Sequence, residues 1–202
     1  MSALLAGVIT GLAVAMPPGA VTGLIVRTGL QRGFRAALAA GWGTATVDGV
    51  YCSIAVLAGA ALIPLLGAVE TPLRAVTGFV LVGLGVYGIV RLRTDMPNDA
   101  PVGARDLIAT YIRFIGITMV NPATLAYFAA VAFGFAGAVL ADAGGFIAGV
   151  FAASLGWHAL LAVMSGSLHG RLGPRGRAML TVVANGVVVA LGVRIIAQVF
   201  VG

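Results

Sequence analysis

Lysine is missing from this 202-residue chain, so all twelve cationic side chains are arginine, and only six residues are acidic. A single cysteine, Cys52, excludes an internal disulfide and any thiol–disulfide carrier chemistry, both of which need two. Histidine is limited to His158 and His169. A metal exporter wants several His, Cys, Asp or Glu ligands inside the membrane, and only Asp48, His158 and Cys52 qualify. Ser154 and His158 stand one helical turn apart, but no oxyanion motif surrounds Ser154, so the sequence offers no hydrolase, no other enzyme and no cofactor site. No basic tract with interleaved aromatics occurs, so the net charge of +6 and the pI near 10.7 speak for anionic lipid headgroups and against nucleic acid. No positive residue precedes Arg27, so Ala13-Val14-Ala15 lacks the basic region that a cleaved signal needs, and residue 1 is expected to remain.

What the chain does have is apolar length. It is 60% hydrophobic and 9% charged with a mean hydropathy of +1.10, and uncharged apolar runs exceed the ~18 residues that mark a membrane span. The sequence therefore predicts an all-α, polytopic membrane protein with six transmembrane helices near 3–26, 36–66, 73–91, 107–135, 144–166 and 178–199. The second is too long to stand upright and should tilt or project, with Pro64 at its end. Thirty glycines fit helices that associate in lipid through close backbone approach, with Gly7-x-x-x-Gly11 and Gly145-x-x-x-Gly149 as candidate contacts. Such helices also suit a homodimer.

Two of the spans are interrupted at matching places. The first runs apolar to Met16-Pro17-Pro18-Gly19 and resumes, and the fourth does so at Val120-Asn121-Pro122, with Pro18 and Pro122 lying 104 positions apart. Proline in a membrane helix frees the carbonyl four residues back and exposes a half-helix N-terminus. Paired interruptions of this kind point to the substrate site of a transporter built from two inverted repeats. The polar stretch between Arg91 and Asp106 then reads as a linker, 92–105, between three-helix repeats 1–91 and 106–202. An odd number of spans per half makes the second half enter with opposite polarity.

Asp48 is the only acidic residue deep in a span. A charged group at mid-bilayer costs at least ~2.5–3.5 kcal/mol, so it must face a wet cavity, a partner or a proton. Thr44 lies one turn before it, and Tyr51 and Cys52 lie one turn after, on the same face. His158 occupies in span five roughly the place of Asp48 in span two, whereas His169 stands beside a basic loop and is interfacial. Gly19, Asn121 and the half-helix starts after Pro18 and Pro122 can offer amide or bare backbone groups to a carboxylate. The residues alone therefore point to a small-solute carrier, with a non-catalytic membrane scaffold as the competing class.

Pro18-Gly19, followed by Gly33, Gly43 and Asp48, resembles the Pro-Gly-Pro and Gly-x-x-x-x-Asp spacing that opens proteins of the LysE/RhtB amino-acid exporter family, and Asn121-Pro122 with Tyr127 and Phe128 resembles the family's second Asn-Pro motif. The resemblance covers nearly the whole chain. It departs at Ala20, where the family has a second proline, at Ala123, where a lysine follows Asn-Pro, and at Phe133-Gly134, where Pro-Gln is usual. It implies export of amino acids or small derivatives across the bacterial inner membrane, driven by a proton or cation gradient. The site residues it implies are Pro18, Gly19, Asp48, Asn121 and Pro122. Asp48 either pairs with the ammonium of a zwitterionic substrate or carries the coupling proton, and both remain open at this point. The wider superfamily supplies metal-ion export as the alternative activity.

Ten of the twelve arginines, all but Arg74 and Arg194, fall on one set of connections, which the positive-inside rule assigns to the cytoplasm. Both termini are then outside and the 92–105 linker inside. In a Cys52→Ala background, a cysteine introduced at position 98 should stay unlabelled by a membrane-impermeant maleimide in intact cells; labelling there reverses the orientation.

Overall fold

The computed structural model describes residues 2–17, 19–58, ten positions between 72 and 90, 103–135, 142–169 and 174–201. Among the described residues the regular structure is entirely helical: α1 (Ala3–Ala15), α2 (Ala20–Ala58), α3 (Ala104–Met119), α4 (Pro122–Phe135), α5 (Ala143–His169) and α6 (Pro174–Val201). The expected third span, the linker, Pro18 and Pro64 lie wholly or largely outside the described residues. Local sequence sets several helix starts. The Ser2 side chain accepts the Leu5 amide at 3.4 Å, and Asp142 Oδ1 accepts the Gly145 amide at 2.9 Å, each satisfying a donor that has no intrahelical partner.

α2 is two helices joined at Gly33, whose φ of 80° and ψ of 179° suit only a residue without a Cβ. The expected boundary between the first two spans thus contracts to this one glycine, and the first span extends past residue 26 to the turn. Both arms lie along α5. Gly29 abuts Ser165 and Gly33 faces His169, after which Gly41 meets His158 and Gly49 meets Phe151. The order of these contacts makes residues 3–32 parallel to α5 and residues 34–58 antiparallel to it. The α3–α4 segment runs alongside the second arm and in its direction: Asp106 pairs with Arg32, Gly43 abuts Tyr111 and Phe114, and Tyr51 reaches Met119. Consequently the two proline-interrupted segments run in opposite directions. α6 is tied to the first arm by a 3.1 Å hydrogen bond that Arg27 Nη1 donates to Asn185 Oδ1.

The chain bends by 79° between Ala3–Ala15 and Ala20–Leu57, and by 62° between Ala104–Met119 and Ala123–Ala129. Among the described residues, α5 is long and apolar enough to cross a membrane by itself, and each bent pair makes one further candidate span. Two apolar clusters sit at different heights in the bundle. Near the Gly33 turn, Leu24, Ile25, Ala37, Ala40, Phe114 and Ala162 pack together; towards the opposite end, Cys52, Ala55, Phe128, Val131, Phe146 and Val150 do.

Glycine decides how closely these helices approach. A Cβ at Gly11 would stand 2.7 Å from the Val150 carbonyl oxygen, and one at Gly149 would stand 2.8 Å from the Val8 nitrogen, while Gly7 meets the Phe146 backbone. The Gly7 and Gly11 pair therefore forms a direct backbone seam with Gly149. Gly145 does not join it, for its neighbour is the carboxylate of Asp142, the side chain that caps it. Overpacking such a seam costs roughly 1–3 kcal/mol or more. Gly149→Leu should therefore lower the apparent melting temperature in detergent by several degrees. Gly156→Leu, where no atom lies within 4 Å of the added Cβ, should leave it unchanged.

Candidate functional site

Between the two apolar clusters lies a buried polar layer. The second arm of α2 turns Thr44, Asp48 and Cys52 onto one face at one-turn intervals, and α5 does the same with Ser154 and His158. Asp48 is 4% exposed, Ser154 1% and His158 3%, so none of the three draws on bulk water for its hydrogen bonds. They satisfy one another instead. Ser154 Oγ donates to Asp48 Oδ2 at 2.6 Å, and Ser154 Oγ lies 3.2 Å from His158 Nδ1. Gly41 and Gly49, one on either side of Asp48 along α2, let α5 come this close: a Cβ at Gly41 would stand 2.9 Å from His158 Cβ, and one at Gly49 3.1 Å from the Phe151 ring. Asp48 stands about 22 Å along the helix from the Gly33 turn at ~1.5 Å per residue.

The second helix break borders this layer. Thr118 Oγ1 donates to Thr44 Oγ1 at 3.4 Å, and the Tyr51 hydroxyl donates to the Met119 carbonyl at 2.7 Å. Three of the backbone groups that Pro122 disturbs have new partners. Thr118 O would face the missing proline N–H and instead accepts the Asn121 amide at 3.1 Å. Met119 O would pair with Ala123 and instead takes Tyr51. The Ala123 amide in turn is held by Asn121 Oδ1 at 3.1 Å. The Asn121 side-chain oxygen is therefore engaged in capping α4. Pro122 is its first residue, the position where a missing N–H costs least.

The first break stands at the same height by register. Gly11 abuts Val150 and Ala153, and Ala20 packs in the cluster that holds Ala162, which brings Pro17 and Gly19 level with Ser154 to His158. α1 ends with the Met16 amide on Leu12 O at 2.9 Å, and the next helix opens with the Gly23 amide on Gly19 O at 3.0 Å. Pro18, between them, lies outside the described residues. His169 is at the far end of α5, where its Nδ1 donates at 2.8 Å to the Leu30 carbonyl beside the Gly33 turn, a capping role.

Of the residues expected from sequence, the layer joins Asp48, Thr44 and His158, flanked by Gly19 and Asn121. Two members went unforeseen in that role. Ser154, the bridge from Asp48 to His158, is signalled only by standing one turn before His158; the Tyr51–Met119 link has no local signature, because its partners are 68 positions apart. Among the described residues no three His, Cys, Asp or Glu side chains converge on a point that would hold a metal ion.

The LysE type translocator family matches residues 12–199. The chain belongs to that family, as the resemblance at Pro18-Gly19, Asp48 and Asn121-Pro122 implied. No curated protein and no solved structure matches it significantly.

A hydrogen bond to a charged group contributes about 1.5–3 kcal/mol, and a buried acceptor left unmet costs a similar amount. Ser154→Ala should therefore lower the melting temperature of the purified protein in detergent. In an Asp48→Asn background the same change should cost clearly less, since coupled residues are not additive. Equal losses in both backgrounds would mean that the two side chains do not act as a pair.

Proposed function

We propose that the protein is a secondary transporter that exports amino acids or small amino-acid derivatives from the cytoplasm across the inner membrane, coupled to a proton or cation gradient. In this reading six spans form two inverted three-helix repeats, 1–91 and 106–202, joined by the 92–105 linker. The opposite directions of the two interrupted segments support it, and membership of a translocator family supports export of a small molecule. The single observation that carries the reading is the Asp48–Ser154–His158 chain, buried at the height of both helix breaks and enclosed by apolar clusters on either side. A packing device would have no need of an ionisable group there, since a charge so deep is costly unless it is used.

The geometry has two consistent hydrogen-bond directions. With Asp48 ionised, His158 Nδ1–H donates to Ser154 Oγ and the serine hydroxyl donates to Asp48 Oδ2. With Asp48 protonated, the carboxyl donates to Ser154 Oγ, the serine hydroxyl donates to His158 Nδ1, and the imidazole proton resides on Nε2. A proton arriving at Nε2 of the first form and two hops along the chain yield the second. No net charge then remains on the histidine, and Asp48 is neutralised. Neutralising the carboxylate removes the strongest reason for α2 and α5 to stay clasped, which links proton occupancy to the repeat packing. Binding the ammonium of a zwitterion at Asp48 would compete for the same oxygens. Exchange of proton for substrate at one carboxylate follows from that competition.

Asp48→Asn keeps the shape and a hydrogen-bonding partner for Ser154 while removing the charge and the proton site. Gradient-driven efflux from proteoliposomes should fall at least tenfold, with His158→Gln reducing it less. Substrate-for-substrate counterflow that survives in Asp48→Asn assigns the proton to Asp48, and loss of both assigns it the substrate ammonium. Wild-type efflux at wild-type protein levels overturns the mechanism in favour of a scaffold.

A further inference from the structure

At the Gly33 end of the bundle, a cavity of about 190 Å³ lies between the first arm of α2 and α3. Its polar wall includes Arg27, Gln31, Arg32, Asp106, Thr110 and Arg113, so among the described residues three guanidinium groups face one carboxylate. Leu24, Phe114 and Ile117 supply the apolar part of the lining, and Leu24 and Phe114 belong to the cluster that separates the cavity from the Asp48 layer. The volume is below the ~300 Å³ at which drug-sized sites begin, which suits a solute of amino-acid size.

The arginines are held in place by the fold. Arg27 donates through Nε to Gln31 Oε1 at 3.2 Å and through Nη1 to Asn185 Oδ1 at 3.1 Å, so its orientation is set by neutral amides. Arg32 bridges α2 and α3, donating to Thr110 Oγ1 at 3.1 Å and pairing with Asp106 Oδ1 at 3.4 Å. Asp106 also accepts the Gly103 amide, and both partners of the ion pair are substantially exposed. An exposed pair of this kind is weak and readily exchanged for another carboxylate. Guanidinium groups present paired donors in the geometry that a carboxylate accepts.

We propose that this cavity is an entry vestibule that receives the carboxylate of the outgoing solute, and that its excess of arginine over aspartate discriminates against solutes of net positive charge. The proposal rests on the export reading and narrows it to zwitterionic and acidic amino acids. A carboxylate entering here competes with Asp106 for Arg32 and meets Arg113 and Arg27 further along the wall. Among the described lining residues, a second positive charge on the solute has Asp106 as its one carboxylate, and Asp106 is engaged by Arg32 and Gly103. An anionic lipid headgroup carries the same kind of oxyanion and is the other occupant to distinguish.

The test is binding of radiolabelled glutamate, serine and lysine to the purified protein in phosphatidylcholine nanodiscs, repeated with phosphatidylglycerol added. Glutamate and serine should bind at least tenfold more tightly than lysine, with affinities unmoved by the anionic lipid. Arg113→Gln, an exposed position, should weaken glutamate at least threefold, Arg113→Lys should restore most of it, and Arg113→Glu should narrow the gap to lysine. Lysine binding as tightly as glutamate, indifference to Arg113→Gln, or no binding by any of the three overturns the proposal. Loss of glutamate binding when phosphatidylglycerol is added overturns it in favour of the lipid. Counterflow in proteoliposomes decides the export reading separately, since saturable exchange of lysine alone would uphold export and sink the vestibule.

Discussion

A carboxylate buried in a helix bundle has to find a donor, and the contact of Asp48 with the Ser154 hydroxyl at 2.6 Å is the constraint around which this protein is arranged. For that contact to exist, α5 must approach the second arm of α2 almost to backbone distance. Gly41 and Gly49 remove the side chains that would prevent it. The same close approach continues on the other side of α5, where Gly7 and Gly11 of α1 meet Gly149. In lipid, where apolar surface gains nothing by leaving its surroundings, such small-residue seams carry the association that a hydrophobic core drives in water. The glycine content of the chain is therefore the structural condition for its one deep charge.

The helix breaks obey the same accounting. Interrupting a helix inside a membrane strands carbonyl and amide groups, and hydrocarbon offers them no partner. At the second break the stranded groups are met by Asn121 and by Tyr51 from a different helix. This couples the break mechanically to the helix that bears Asp48: Thr44 touches Thr118 and Tyr51 touches Met119 on either side of the carboxylate. A change in the clasp between α2 and α5 is thereby in position to be felt at the interrupted helix. The polar layer lies between two apolar clusters, and the arginine-lined cavity lies beside one of them.

Membrane residence and family were legible in the residues themselves, because each depends on composition or on short local motifs. Apolar runs of span length, arginine on one set of loops, and Pro18-Gly19, Asp48 and Asn121-Pro122 at their spacings need no knowledge of packing. The cost of a mid-span charge likewise singled out Asp48 without any structure. Among the described residues, the helices α3 to α6 fall within a few residues of the expected segments, whereas the boundary between the first two segments is one glycine, Gly33, in an extended left-handed conformation. Nothing in its flanks announces that turn, since Gly33 is one of thirty glycines and its φ is imposed by arms folding back on α5.

What only the tertiary structure decided are the pairings across sequence distance. Ser154 meets Asp48 over 106 positions and Tyr51 meets Met119 over 68, and a hydroxyl in a helix carries no local sign of whether it bonds its own backbone or another helix. Thr44 illustrates the ambiguity by doing both, donating to Ala40 O while accepting from Thr118. Glycine spacing was likewise undecided until the rotation of each helix was known: Gly149 lies in the seam while Gly145, one turn away, faces its own cap. Composition and local motif thus determined that the chain belongs in a membrane and that Asp48 is the acidic residue deep in a span. Helix rotation and register, which arise from many weak contacts acting together, decided what that charge touches.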